Sequence, residues 1–303
     1  MPIDSLSVLS ASLAEVVAAI APSVVRVEAR RRPSSGVALT ADLVATAAHA
    51  LEHDEIEVGL HDGRTAKATL IGRDASTDVA LLKIEGGGLS PAPWLEAGAP
   101  FDLQVGNLAL AVSRPGRTAR ASLGVVNAVS EGEWRTPSGG KLERYLETDV
   151  QLRPGFSGSA LVDARGRVVG LNTVGLSRGS ASAIPAATVR RVIEALQKEG
   201  GIARGYLGLS TVPARLPEEL AAKVGQPGAL LVAGVDPEGP AKTAGVLFGD
   251  AITALDGHAL RHPAELLEVL DEGSVGKTVK LRIVRAGELR EVSITIGKRE
   301  ARA

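Results

Sequence analysis

The chain has 303 residues, 45% of them apolar, and a formal net charge of −1. That is enough for two domains with full cores, and it offers neither a basic field for nucleic acid nor an acidic tail. Two Trp, two Tyr and three Phe are too few for base-stacking surfaces. The absence of cysteine excludes a disulfide-stapled secreted architecture, although a large core needs no staples.

Residues 1–22 form the first segment. Met1 to Ser5 lacks the positive region of a secretory signal. Leu6 to Ala21 is apolar but carries Glu15, and as a run from Leu6 it ends short of a membrane span. Leu9, Leu13, Val16, Val17 and Ile20 instead fit an amphipathic helix that packs or faces a partner, and Pro22 ends it.

Residues 23–200 read as short strands and turns. The strand candidates are Val24 to Val27, Gly36 to Leu39, Leu43 to Ala45, Glu55 to Val58, Asn107 to Val112, Gly124 to Val129 and Arg167 to Leu171, with a turn at Asp62-Gly63. This spacing predicts an all-β barrel or sandwich. Helical spacing follows from Val189 to Lys198, and Gly200-Gly201 ends it. Residues 204–299 then alternate strands (around Leu230 to Val232, Ala251 to Leu255, Thr278 to Val284 and Glu291 to Ile296) with a helix from Pro263 to Leu270. This second module is α+β.

The chemistry concentrates in the first module. Gly155-Phe156-Ser157-Gly158 can present a hydroxyl and its backbone N–H on a tight loop. Thr46-Ala47-Ala48-His49 supplies a base, without which serine is a poor nucleophile. Asp78, in Asp74-Ala75-Ser76-Thr77-Asp78, supplies the third member. The order His49, Asp78, Ser157 is the chymotrypsin order rather than that of subtilisin or the α/β-hydrolases. The expected roles are attack by Ser157, proton transfer by His49 and imidazole orientation by Asp78. The N–H groups of Gly155 and Ser157 would form the oxyanion hole, where one lost donor costs about 3 kcal/mol of barrier. Two six-stranded barrels would put His49 and Asp78 on the first and Ser157 on the second.

Other candidates have plainer readings. His49 and His53 are four apart, but there is no His-Glu-x-x-His and no third ligand is evident, so no metal is expected, and His53 reads as an exposed loop residue. His61, His258 and His262 lie in polar, turn-like stretches. Asp74 reads as a turn former and Asp149 as structural. Gly86-Gly87-Gly88 lacks the Lys and helix of a phosphate loop. Leu152, Phe156, Thr173 and Val174 are expected to line a substrate pocket, and with no Asp apparent in those stretches to hold a basic side chain the expected fit is a small or medium apolar one.

Together the motifs resemble the HtrA/Deg family of trypsin-like serine proteases with a C-terminal PDZ domain. The similarity runs through Thr77 to Lys83, Glu147-Thr148-Asp149, Gly170 to Thr173, Ala183-Ile184-Pro185, Arg204 to Leu209, and Gly234 to Ala241 with Gly245 and Gly249-Asp250. It covers the chain from about Val24 to Lys298. The chain departs from the family pattern at Ala47, Phe156 and Ser159, where the family usually carries Asn, Asn and Gly. Digestive relatives place an Asp at the position of Phe156, to receive a new N-terminal amine. Phe156 cannot, so a switch is expected to act by ordering Arg153-Pro154-Gly155.

The resemblance implies a mainly β protein: a chymotrypsin-like double β-barrel followed by an α+β PDZ domain. Tyr206, Leu207, Gly208 and Leu209 resemble the carboxylate-binding loop of a PDZ domain, and a peptide C-terminus would add a strand beside Leu266 and Leu270. The implied function is ATP-independent serine endopeptidase of protein quality control, cleaving exposed apolar segments of unfolded or damaged proteins. No cofactor and no metal are implied. A homotrimer is implied, a simple one, because few residues separate Arg30 from Ser35 for a cage-building loop. Localisation is expected to be cytoplasmic if Met1 is the native start, and otherwise cell envelope or periplasm as is usual for the family. The rival reading is a weakly active or inactive chaperone or PDZ scaffold on the same fold.

Overall fold

The computed structural model describes residues 3–29, 32–52, 55–176, 181–199 and 204–299. The chain divides into two compact units, residues 1–201 and 202–303.

In the first unit, helix α1 (Ile3–Ile20) leads through a 3-10 turn (Ala21–Ser23, with Pro22) into the β structure. Ile20 is fully buried, whereas Leu6, Val8 and Leu9 are exposed. The helix begins three residues before Leu6, which corrects the expectation of a run too short to span. Asp4–Ser23 is long and apolar enough, by length and composition, to cross a membrane.

Strands β1 (Val24–Glu28), β2 (Ser34–Ala38), β3 (Leu43–Ala47), β4 (Ile56–Gly59), β5 (Thr65–Asp74) and β6 (Val79–Ile84) close a barrel in the order β1-β2-β3-β6-β5-β4. Alternation sets which side chains fill it: Val25, Val27, Val44, Val58, Leu82 and Ile84 point inward and are buried. Each such side chain contributes about 1.5–3 kcal/mol of transfer free energy.

β7 (Leu108–Ser113) and β8 (Arg120–Val129) open the second barrel. A small ribbon of β9 (Trp134–Arg135) and β10 (Lys141–Leu142) follows, then β11 (Leu146–Thr148), β12 (Ala160–Asp163), β13 (Val168–Thr173) and β14 (Ala181–Pro185). This barrel closes in the order β11-β14-β13-β12-β7-β8. The segment between the barrels is stitched to both: Ala92 N–H donates to Ala38 O, and Leu95 N–H to Val168 O. Helix α2 (Ala186–Glu199) buries Val189, Val192, Ile193 and Leu196. It packs on β13 and β14 of one barrel and on β5 and β6 of the other.

The second unit contains β15 (Arg204–Tyr206), β16 (Leu209–Arg215), α3 (Glu218–Val224), β17 (Gly228–Val235), α4 (Pro240–Thr243), β18 (Ala251–Leu255), β19 (His258–Ala259), α5 (Pro263–Val269), β20 (Thr278–Arg285), β21 (Glu288–Thr295) and β22 (Gly297–Arg299). The main sheet runs β16-β17-β18-β20-β21, with β19 on β18, so β16 is an edge strand. Leu230, Ile252, Leu281, Ile283 and Leu266 form its core. Asp250 is 1% exposed and is held by two bonds of 2.7 Å from Arg285 Nε and Nη2 and one of 2.8 Å from Leu247 N–H. Burial pushes its carboxyl up, but the Arg285 guanidinium and that N–H outweigh it and hold it below the usual value.

Candidate active site and peptide groove

The turn between β5 and β6 is built by side-chain bonds to the backbone. Asp74 accepts from Ser76 N–H at 3.0 Å and from the Ser76 and Thr77 hydroxyls at 2.5 and 2.6 Å. Its carboxylate is thereby committed to the turn. Thr136, next to the β9–β10 ribbon, donates its Oγ1 proton to Ser76 O at 2.7 Å, so the ribbon segment also holds this turn.

Asp78 leaves the turn with φ of 62°, a left-handed backbone that Asp tolerates better than most residues. That conformation folds the residue back onto the 3-10 turn after β3. Ala48 N–H donates to Asp78 O at 3.0 Å, and His49 N–H to Asp78 Oδ1 at 2.9 Å. His49 Nδ1 lies 2.8 Å from Asp78 Oδ2. A carboxylate only accepts, so this contact puts the proton on Nδ1 and leaves Nε2 unprotonated in the neutral ring. The Asp78 side chain is 5% exposed and that of His49 30%, so the imidazole keeps an open edge.

β13 ends at the same pair. The Thr173 hydroxyl donates to Asp78 Oδ2, and Gly175 N–H donates to Thr173 Oγ1 at 2.8 Å. A Cβ on Gly175 would fall 2.6 Å from Asp78 Oδ2 and 3.0 Å from His49 Nδ1, so any side chain there would strike the pair.

The loop that carries Ser157 also reaches the first barrel. Ser35 N–H, on β2, donates to Ser157 O at 3.0 Å. A Cβ on Gly158 would meet Ser35 O at 2.2 Å and Ala47 N at 2.9 Å, which shows how closely the serine loop approaches β2 and β3. Ser157 is half-buried, and its hydroxyl makes no hydrogen bond among the described residues. Such bonds are often long in unliganded sites and tighten on substrate.

The turn ahead of the serine is type II in its signature: Pro154, then Gly155 with φ of 92°, closed by Phe156 N–H on Arg153 O at 3.0 Å. Among the described residues, the N–H groups of Gly155 and Ser157 donate to no protein acceptor. Phe156 is 2% exposed and lies in the core of the second barrel with Leu103, Leu161 and Val169.

The residues expected to line a substrate pocket are spread in character. Leu152 is half-buried against the second-barrel core, Phe156 is inside it, Thr173 is fully buried on Asp78, and Val174 is 51% exposed. Asp149 accepts from Val125 N–H at 2.6 Å, a structural bond. His53 lies outside the described residues. Among the described residues, no group of three His, Cys, Asp or Glu could hold a metal ion.

In the second unit a groove of about 620 Å³ runs between the β16 edge and α5, and Tyr206, Leu207, Gly208, Leu209, Leu266 and Leu270 all line it. Its loop is pinned from below. Asp236 N–H donates to Gly208 O and Ala241 N–H to Leu207 O, each at 2.8 Å, and Tyr206 Oη donates to Asp236 Oδ2 at 2.5 Å. Gly208 has φ of 76°, and a Cβ there would lie 3.0 Å from Gly239 Cα. The N–H groups of Leu207 and Gly208 donate to no protein acceptor among the described residues.

Residues 34–171 match the family model of the trypsin-like peptidase domain, and residues 205–296 that of the PDZ domain. The chain is 35% identical over 280 residues to a probable periplasmic serine endoprotease, DegP-like, of Halomonas elongata, covering 89% of this chain and 57% of that protein. It is 32% identical over 262 residues to the protein of the same description in Chlamydia muridarum, covering 84% and 51%. The chain thus spans about half the length of these curated relatives. Among solved structures, the serine endoprotease from Yersinia pestis superposes with a TM-score of 0.69 at 28% identity, covering 95% of this chain and 98% of that one. The HtrA-type protease AlgW with a decapeptide gives 0.69 at 26%, covering 95% and 99%.

Double barrel and following sheet therefore define a trypsin-like peptidase domain joined to a PDZ domain. Across both domains the chain is similar to HtrA-type serine proteases, and these similarities support an HtrA-type protease with a PDZ domain.

Proposed function

We propose that this chain is a serine endopeptidase in which Ser157 attacks the peptide carbonyl. His49 Nε2 takes the hydroxyl proton and returns it to the leaving amine. Asp78 fixes the tautomer and stabilises the imidazolium. The N–H groups of Gly155 and Ser157 receive the oxyanion, which is worth most where donors are already in place. The observation that carries this reading is the grip of Asp78 on His49, through both main-chain N–H and Nδ1, beside a serine loop tied to the same barrel. No cofactor enters the mechanism.

The second unit supports capture of a peptide C-terminus. The free N–H groups of Leu207 and Gly208 suit a carboxylate, and the β16 edge suits a strand added alongside. Substrates are then exposed apolar segments of unfolded or damaged proteins, cut without ATP in protein quality control. A homotrimer in the cell envelope is the assembly and place that fit the family and its periplasmic relatives.

Fluorophosphonate labelling tests the proposal. Label on Ser157 in the wild type, absent in Ser157→Ala, with loss of unfolded casein in parallel, is the expected result. Failure to label, with casein intact in both samples, refutes it in favour of a binding protein.

A further inference from the structure

Arg114 follows β7 and is 5% exposed, yet no carboxylate lies in ion-pair range of it among the described residues. A buried cation is costly unless its donors are met. Here main-chain carbonyls meet them: Nε donates to Val24 O at 2.6 Å, Nη2 to Ala21 O at 2.7 Å and Nη1 to Arg117 O at 2.8 Å. Burial lowers the basicity of the guanidinium, yet an Arg side chain stays charged in proteins. Two of these carbonyls belong to the segment entering the first barrel, and the third to the loop that carries Arg114 itself.

The main chain of the same loop bears on the serine turn. Arg114 N–H donates to Ser35 Oγ at 2.9 Å, and Ser35 Oγ donates to Gly155 O at 2.7 Å. The next residue, Pro115, closes the other side: a Cβ on Gly155 would lie 2.4 Å from Pro115 Cβ. A hydroxyl has one proton to give, so the N–H of Arg114 fixes the Ser35 oxygen as acceptor on one side and donor on the other.

We infer that Arg114 is a positioning residue: its guanidinium clamps the 114–117 loop to the carbonyls of Ala21 and Val24, and the loop holds Ser35 and Pro115 against the Gly155 turn. The inference rests on the reaction proposed above, because its effect reaches substrate only through the Gly155 N–H. Arg114 touches no reacting atom. Its contribution is to keep a donor where charge develops, so its loss lowers kcat rather than substrate binding.

The test uses the full chain with Arg114→Met, which keeps bulk but removes the donors, Arg114→Lys, Ser35→Ala and the Arg114→Met/Ser35→Ala double variant. Thermal melts select an assay temperature at which each is folded. On a short peptide substrate, kcat is expected to fall roughly ten- to hundredfold in Arg114→Met, less than the full loss of an oxyanion donor. KM stays within about twofold, because only the transition state uses that donor. Affinity for a peptide boronate, whose tetrahedral adduct needs the same donors, falls by the same factor. Arg114→Lys recovers part of the loss, and the double variant is no worse than the poorer single one. Unchanged kcat and boronate affinity in a folded Arg114→Met overturn the inference, as do losses that multiply in the double variant. If Arg114→Met does not fold, Ser35→Ala decides alone: unchanged kcat overturns the inference, and a kcat-only loss supports it. Wild-type protein that takes no fluorophosphonate on Ser157 defeats the proposed function, and the inference with it. Labelled wild type with unaffected variants defeats the inference alone.

Discussion

The two candidate sites are made of different material. In the peptidase unit the candidate site is assembled from side chains of remote segments, each committed to a neighbour: Asp78 to His49 and Thr173, Ser35 to Gly155. In the PDZ unit the groove offers mainly backbone, an unpaired strand edge and two N–H groups, with leucines as its floor. The contrast teaches that reaction demands particular atoms at particular points, whereas recognition of an extended chain end demands a conformation that many sequences can supply. Substitutions should therefore act sharply in the first unit and gradually in the second.

The largest effect that sharpens this contrast is expected from Ser157→Ala. Cleavage of casein should fall by a factor on the order of 10⁴–10⁶. Binding of an apolar C-terminal peptide, followed by fluorescence anisotropy, should stay within about twofold. A change in both would show the two sites to be one system.

Next in size is Arg285→Met. It strands the buried Asp250 and should destabilise the PDZ unit by about 3 kcal/mol, seen as a lower denaturation midpoint for that unit. The pH dependence has a definite sign. Because the folded pKa of Asp250 lies below its unfolded value near 4, its contribution is complete above about pH 4–5. It fades as pH falls through the folded value, so wild type and variant should converge in acid. Divergence on acidification would contradict the assignment.

Thr173→Val removes the hydroxyl donated to Asp78 and leaves a buried carboxylate one bond short. A hydrogen bond to a charged group contributes about 1.5–3 kcal/mol, so kcat/KM should fall roughly ten- to hundredfold. Steady-state kinetics on a peptide would show it, and unchanged rates would mean that Thr173 serves only the fold. The smallest effect comes from the ligand side. Amidating the C-terminus of the apolar peptide should weaken PDZ binding about tenfold by titration, and equal affinity would exclude carboxylate capture.

The candidate triad was legible because reactive residues sit in short local motifs. Ser157 lies between glycines, and Asp78 stands in a run whose Asp74 is used up by Ser76 and Thr77. Ile56–Gly59 was legible by alternation, and Ala251–Leu255, buried along nearly its whole length, as a short apolar run. β5 was not, because a register shift between Leu70 and Gly72 breaks its period. Helix α3 has no buried residue and so leaves no apolar stripe to read. Thr173 was expected in a pocket, but its hydroxyl turns to Asp78, a relation set only when β13 of one barrel ends beside the first barrel. Ser35, Arg114 and Gly175 gave no signal, since each acts through one atom or through the lack of one.

Phe156 sets the character of the serine turn in another way. What anchors the loop beneath Ser157 is a hydrocarbon ring sunk among Leu103, Leu161 and Val169, where digestive relatives use an ion pair. Such an anchor does not titrate and is not screened by dissolved salt, and it weakens on cooling rather than on moderate warming. The turn should accordingly keep its shape across wide swings of ionic strength and acidity.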